Sequence, residues 1–235
     1  MALAVLQQGS TGLQVQLKEV LTGEEIRNIP LNANYNGVDL VVMTDLNGNK
    51  SREIAVLATH KKTNTAWVAL HDSKTGQLIR NINYGTGKAA QQLVNFPDLN
   101  NNGSSEFAVL RTDTRRVVFK DVATGSTVNA LDYTVSQPFR LVNVADSTSD
   151  THLALLGMRA NGQITAEVRD GLTDTIVNKV VFDQYGTTVG FIAIPDVNGN
   201  GVAELVRLRE QPGPQKLFAE VRDGRTGELI QGMYF

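Results

Sequence analysis

The chain has 235 residues, a formal net charge of −2 and 20% charged residues. That is enough length for one or two domains with a sizeable core, and there is no charge bias toward a polyanionic partner. It has no cysteine, which excludes thiol catalysis, cysteine-based zinc sites and disulfides. No apolar run approaches the ~20 residues needed to cross a bilayer as a helix, so no membrane insertion is expected. Scattered basic residues and few aromatics argue against nucleic-acid binding.

The opening MALAVL has no basic region and no apolar stretch of signal-peptide length. Instead it begins a first unit, residues 1–35, in which Leu3–Leu6 and the alternating Val15-Gln16-Leu17-Lys18 read as strands, ahead of the turn VLTGEEI at Gly23. The second unit, 36–88, has strands at Val38–Met43 and Ile54–Leu57 on either side of the loop that starts at Asp45. It continues through the apolar Ala66–Leu70 to the turn DSKTGQLI at Gly76. The third, 89–137, repeats this with Leu93–Phe96, a loop from Asp98, Phe107–Leu110, Val117–Phe119 and the turn DVATGSTV at Gly125. The fourth, 138–187, has Phe139–Val144, the altered loop ADSTSDTH, Leu153–Leu156 and the turn DGLTDTIV, with Asp174 in the glycine place. The fifth, 188–235, has Val189–Ile194, a loop from Asp196, Leu205–Leu208 and the turn DGRTGELI at Gly227. No helical periodicity of useful length is present.

The five turn positions recur at intervals of 53, 49, 49 and 53 residues, each four residues after a carboxylate: Glu19, Asp72, Asp121, Asp170 and Asp223. An acidic residue opening a loop that closes on glycine suits a hairpin. The carboxylate accepts backbone N–H groups of the turn, and glycine takes the positive φ. Asp174 fits because Asx residues tolerate that region.

Four short antiparallel strands (A to D) repeating every 40–50 residues predict a β-propeller, because one such sheet is apolar on both faces and needs neighbours. The expected fold is an all-β, single-domain propeller of five units, four-stranded except for one that lacks strand A. Three outcomes stay open for that unit: a three-stranded blade, a chain cut from a longer propeller, or a ring completed by a neighbouring molecule through an unpaired edge.

The A–B loops read DLNGNKSRE, DLNNNGSSE and DVNGNGVAE. They place short oxygen-bearing side chains at alternate positions, with a carboxylate eight residues after the first Asp. That pattern suits a hard divalent cation, and calcium accepts six to eight oxygen ligands. Coupled to the blade-length period, these loops resemble the FG-GAP and VCBS repeats of integrin-α-like propellers. The resemblance implies calcium held by Asp45, Asn47, Asn49, the Ser51 carbonyl and Glu53. It implies a second ion at Asp98, Asn100, Asn102, the Ser104 carbonyl and Glu106, and a third at Asp196, Asn198, Asn200, the Val202 carbonyl and Glu204. Asparagines in place of aspartates lower the ligand charge and predict weak affinity, toward ~10⁻⁴–10⁻³ M. Two departures stand out. Lys50 replaces the sixth-position glycine, and the fourth loop is two residues shorter, with Asp146 and Asp150 but His152 in the glutamate place. The competing reading is that every loop is an Asx-turn stitched by side-chain-to-backbone bonds without an ion.

Catalytic equipment is sparse. His60 reads as a solvated turn residue, His71 as a surface strand residue and His152 as a loop substitution. Gly85-Thr86-Gly87-Lys88 reads as a blade-to-blade linker, and Trp67 as a buried residue. The expected function is a non-enzymatic binding or scaffold module with an unspecified protein or glycan ligand. The resemblance implies an extracellular or cell-surface setting. Homo-oligomers through the incomplete blade, a lectin, a carbohydrate lyase or hydrolase domain, and an excised or engineered fragment are the alternatives. Binding loops are expected at Asn32–Gly37, Gly85–Gln92 and Gln184–Thr188.

Overall fold

The computed structural model describes residues 2–9, 12–87, 90–144, 151–213 and 217–235. Among these every regular element is a β-strand. The first sheet has three strands, β1 (Ala2–Gly9), β2 (Gly12–Glu19) and β3 (Glu25–Pro30). Four four-stranded antiparallel sheets follow. The second contains β4 (Tyr35–Val42), β5 (Glu53–His60), β6 (Thr65–Asp72) and β7 (Leu78–Thr86). The third contains β8 (Ala90–Phe96), β9 (Glu106–Arg111), β10 (Arg116–Asp121) and β11 (Thr127–Asp132). The fourth contains β12 (Gln137–Val144), β13 (His152–Met158), β14 (Ile164–Asp170) and β15 (Ile176–Phe182). The fifth contains β16 (Thr187–Ile194), β17 (Glu204–Glu210), β18 (Leu217–Asp223) and β19 (Leu229–Tyr234). The array is a five-bladed propeller whose first blade lacks strand A.

Blade-to-blade packing follows from the alternation of β-strand side chains. On β5, Ile54 and Val56 join Val15, Leu17 and Ile29 between the first and second sheets. Ala55 and Leu57 turn the other way, to meet Leu93, Phe107 and Val109 of the third. The same division builds a core around Phe96, Phe119, Leu131 and Leu155, and another around Leu156, Val168, Phe182 and Leu205. The second strands of the inner blades are therefore apolar on both faces, and one core lies at each junction. The innermost strands pack in succession, β1 on β4, β4 on β8, β8 on β12 and β12 on β16. No packing of that extent joins the fifth sheet to the first among the described residues.

The two terminal faces differ in chemistry. The outward face of the first sheet carries an amide ladder in which Gln14 Nε2 donates to Gln7 Oε1 (3.3 Å) and Asn28 Nδ2 donates to Gln14 Oε1 (3.0 Å). On the fifth sheet, Val206 and Leu208 continue the face that Ala55 and Leu57 bury in the second, and Ile192, paired with Val206, is 55% exposed.

Strand direction sorts the connections onto two mouths. The Asp-Asn loops and the Thr-Gly hairpins share one rim, while the β5–β6-type turns and the blade-to-blade linkers share the opposite one. The linker reading of Gly85-Thr86-Gly87 holds, because these residues close β7 ahead of β8. Lys88 lies outside the described residues.

Candidate metal centres

Each Asp-Asn loop folds around its first carboxylate. Asp45 Oδ1 accepts the N–H groups of Asn47 (3.2 Å), Gly48 (2.8 Å) and Asn49 (3.3 Å), and its Oδ2 accepts Lys50 N–H (2.7 Å). Asn47 Oδ1 and Asn49 Oδ1 take the N–H groups of Asn49 (3.1 Å) and Ser51 (2.8 Å). The Asp196 loop repeats the arrangement, with Asn198, Gly199, Asn200 and Gly201 donating to Asp196 at 2.7–3.3 Å. There Val202 N–H donates to Asn200 Oδ1 (2.9 Å). In the Asp98 loop, Asn100, Asn102 and Gly103 donate to Asp98 at 2.7–3.2 Å and Ser104 N–H reaches Asn102 Oδ1 (2.8 Å). Alternate side chains thus turn inward because the backbone winds around them.

The ninth-position glutamates begin β5, β9 and β17, and all three are fully buried. One oxygen of each returns to the loop: Leu46, Leu99 and Val197 donate N–H to Glu53, Glu106 and Glu204 Oε2 at 2.8–3.0 Å. The other oxygen differs. Glu106 Oε1 accepts Asn100 Nδ2 (3.0 Å), whereas Glu53 Oε1 and Glu204 Oε1 are buried without a hydrogen-bond partner. Burial and then the charges of Asp98 and Asp121 push the Glu106 carboxyl up to about 7, although the Leu99 N–H opposes them. Burial, with Asp45 and Asp72 nearby, also raises Glu53.

A third participant was not legible as part of the site. The hairpin aspartates stand directly across from these glutamates in register, Glu53 with Asp72, Glu106 with Asp121 and Glu204 with Asp223. Asp72 Oδ1 accepts Lys74 and Thr75 N–H (both 2.7 Å), as hairpin chemistry requires, while its Oδ2 accepts Asn47 Nδ2 (2.7 Å) and Asn49 Nδ2. Asp223 does the same for Arg225 and Thr226 N–H and for Asn198 and Asn200, and Asp121 receives Thr124 N–H and Asn102 Nδ2. Burial would raise these hairpin carboxyls, but the hydrogen bonds they accept outweigh it and leave all three below the ordinary aspartate value. Loop, strand and hairpin are one clasp. The clue in the sequence was that every Asp-Asn loop is followed by a hairpin acid in the same unit.

In the fourth unit Asp146 and Asp150 lie outside the described residues. His152 occupies the glutamate register opposite Asp170, with Nε2 3.8 Å from Asp170 Oδ2. Thr151 Oγ1 donates to the same oxygen (2.8 Å), taking the place of the asparagine amides.

The donor chemistry of the three complete loops suits a hard cation. Each gathers a loop Asp, two Asn carboxamides, a buried Glu and a hairpin Asp, and in two of them a buried Glu oxygen is unpaired. Among the described residues no three His, Cys, Asp or Glu side chains converge closely enough to hold an ion by themselves. A bound cation would therefore depend on Asn47, Asn49 and their counterparts, and on main-chain oxygens.

Lys50 takes φ 67°, where the equivalent Gly103 and Gly201 take 84° and 87°. A non-glycine residue is strained there. Lys50→Gly is expected to raise stability by about 0.5–1 kcal/mol, after allowing for glycine's greater unfolded-state entropy. Urea denaturation would read the change.

His71 corrects its sequence reading as a surface residue. It is 8% exposed, and its Nδ1–H donates to Gly76 O (3.2 Å). Burial holds its pKa below the ordinary histidine value. The position serves the hairpin: Arg169 reaches Asp174 O (3.1 Å) and Arg222 reaches Gly227 O (2.9 Å) from the same place. His60 is half-buried, accepts Thr63 N–H at Nδ1 (3.1 Å) and meets the Tyr35 ring edge-on at 5.0 Å. Trp67 is also half-buried and walls a small cavity of about 230 Å³ between the first and second sheets.

No protein-family profile matches the chain, and no curated protein matches it by sequence. Solved structures do. BBS1N, from its crystal structure in complex with ARL6DN, matches over 100% of this chain and 68% of that one, with TM-score 0.62 and 11% identity. The Dos1 propeller matches over 100% and 57%, with TM-score 0.62 and 15% identity. The chain has the propeller fold. TolB from Acinetobacter baumannii gives TM-score 0.63 at 14% identity, over 100% of this chain and 51% of that one. The chain thus spans 51–68% of the length of these three propellers. Enzymes occur among the matches too, including the rhamnogalacturonan lyase YesW at TM-score 0.53 and 14% identity. At such identities the likeness concerns the fold alone.

Proposed function

We propose that this propeller is a non-enzymatic binding or scaffold module of the FG-GAP/VCBS kind, stabilised by calcium in the loops that start at Asp45, Asp98 and Asp196 and working at a cell surface or outside the cell. The observation that carries the calcium reading is the buried glutamate of each loop. Glu53 and Glu204 each keep a desolvated oxygen with no donor, and Glu53 lies beside the charges of Asp45 and Asp72. An uncompensated buried carboxylate is costly. A divalent cation drawing on the Asp, Asn and Glu oxygens would neutralise it and tie strand A, strand B and the hairpin together. Loops of this type supply mostly neutral or singly charged oxygens, which favours the more flexible shell of calcium over magnesium.

Thermal unfolding with EDTA, and with calcium or magnesium added back, tests this. A ligand at 10–100 times its dissociation constant stabilises by about 1.4–2.7 kcal/mol per site, so millimolar calcium is expected to raise the melting temperature by several degrees while magnesium does little. A melting temperature indifferent to both ions would return the loops to simple Asx-turns. Homo-oligomers through the incomplete first blade remain part of the proposal, and native mass measured in the same buffers reads them.

A further inference from the structure

The innermost strands are tied to one another by a repeated side chain. In register, Asp39 of β4, Gln92 of β8 and Arg140 of β12 are equivalent, each preceding the residue that pairs with the fourth position of its neighbour strand: Leu40 with Val56, Leu93 with Val109 and Leu141 with Leu155. Asp39 Oδ2 accepts Leu93 N–H on the next inner strand (2.9 Å). Gln92 does the same and more, accepting Leu141 N–H and donating to Leu141 O (both 2.7 Å). Arg140 has no acceptor atom to offer β16. Its side chain is exposed and makes no hydrogen bond or ion pair among the described residues.

A cleft of about 540 Å³ opens where the tie is broken, on the mouth opposite the Asp-Asn loops. Its polar lining includes Gln91, Arg140, Thr187 and Arg207, its apolar lining includes Phe139, Met158 and Ile164, and no carboxylate residue lines it. Arg207 is fully buried and fixed by three acceptors: Nε donates to Thr188 Oγ1 (2.8 Å), Nη2 to Gly186 O (3.2 Å) and Nη1 to Asp183 O. Asp183 and Gly186 belong to the β15–β16 connection and Thr188 to the start of β16, so the guanidinium holds that wall rigid while adding positive potential. Behind it, among the described residues, Arg209 pairs with Asp183 and Arg222 with Glu220, and the same two carboxylates act on Arg207. The volume lies in the range of small-molecule sites, and the lining is divided about evenly between polar and apolar surface.

We propose that this cleft binds a small organic anion, its carboxylate or sulfate held by Arg140 in the field of Arg207 and its body resting on Phe139, Met158 and Ile164. A planar guanidinium matches an oxyanion in bidentate fashion. This gives a ligand class to the binding role proposed above and rests on that role, but not on calcium, because the cleft and the cation loops occupy opposite mouths.

The test is isothermal titration of the intact chain with benzoate and glucuronate, beside their neutral counterparts benzamide and glucose, and with inorganic sulfate, each with calcium and with EDTA. Saturable binding of at least one organic anion, with its neutral counterpart weaker by about tenfold or more, is expected. Arg140→Gln restores the side chain that Gln92 uses to reach the next strand. It is expected to lose the anion by about tenfold or more while keeping or raising the melting temperature. Equal binding of charged and neutral ligands, no saturable response to any organic anion, or undiminished binding by Arg140→Gln would each overturn the assignment. Sulfate binding as well as the organic anions shows only that the charge is read without the apolar floor, and it overturns that part of the proposal. Binding that persists in EDTA separates this site from the cation loops. Calcium stabilisation without any anion binding would sink the cleft and leave the loops standing.

Discussion

Asp72→Ala is expected to destabilise the chain by about 2–4 kcal/mol, among the largest effects of any polar substitution, because one side chain closes two connections. The Lys74 and Thr75 N–H groups lose their acceptor within the hairpin, and the Asn47 and Asn49 amides lose theirs in the neighbouring loop. Asp72 is only 4% exposed, so water replaces these partners poorly. Asp72→Asn separates the two duties. An asparagine oxygen can still accept from the hairpin, but its amide then confronts two amide donors, so most of the loss should persist. Guanidinium unfolding of both variants gives the comparison. If Asp72→Asn were as stable as the parent chain, the link between loop and hairpin would carry no weight and Asp72 would be a turn residue only.

Phe119→Ala should cost about 3–5 kcal/mol, the range for emptying a buried aromatic site. Phe119 has no exposed surface and meets Phe96 edge-on, with ring centroids 5.1 Å apart, in the core between the third and fourth sheets. The lost area and the cavity add, because β-sheets on either side of a junction cannot collapse without dragging their other junctions with them. The prediction is specific about cooperativity. A single unfolding transition shifted as a whole would show that the blades unfold as one unit. A split transition would show that the array breaks at this junction, as repeat proteins with weak interfaces do. A loss below about 1 kcal/mol would contradict the packing described.

Much of the architecture was legible because its signals are local. The hairpin acids, the positive-φ turn residues and the alternation of Val15-Gln16-Leu17-Lys18 each act within a few residues, so all five turns and the missing strand A emerged from spacing. The loop carboxylates Asp45, Asp98 and Asp196 were legible for the same reason. The clasp was not, because Glu53 meets Asp72 only when β5 and β6 pair, and nothing in either segment names the other. His71 was misjudged on similar grounds. Arg169 and Arg222, at its position in other units, lie along their hairpins and donate to carbonyls there, as His71 does. The cleft beside Arg140 was half visible. Two of the three expected binding loops contribute to it, one through Gln91 and the other through Gln184, Gly186, Thr187 and Thr188. The broken tie between inner strands needed the register of β8 and β12 to be seen.

The separation of loops and linkers onto two mouths also separates charge. Asp45, Asp98 and Asp196 crowd one end with their partner glutamates and hairpin acids, outnumbering Lys50, Arg52, Lys74 and Arg225 in the same loops and hairpins. Lys61, Lys62, Arg115, Arg116, Arg140 and Arg159 stand at the other, only partly offset by Asp113, Asp132, Asp183 and Glu210. A chain with little net charge is therefore an electric dipole along its own axis, and long-range fields act on that moment before any contact forms. Such a molecule meets an anionic surface with its arginine-bearing mouth forward and its acidic rim facing away, so its orientation is chosen during approach.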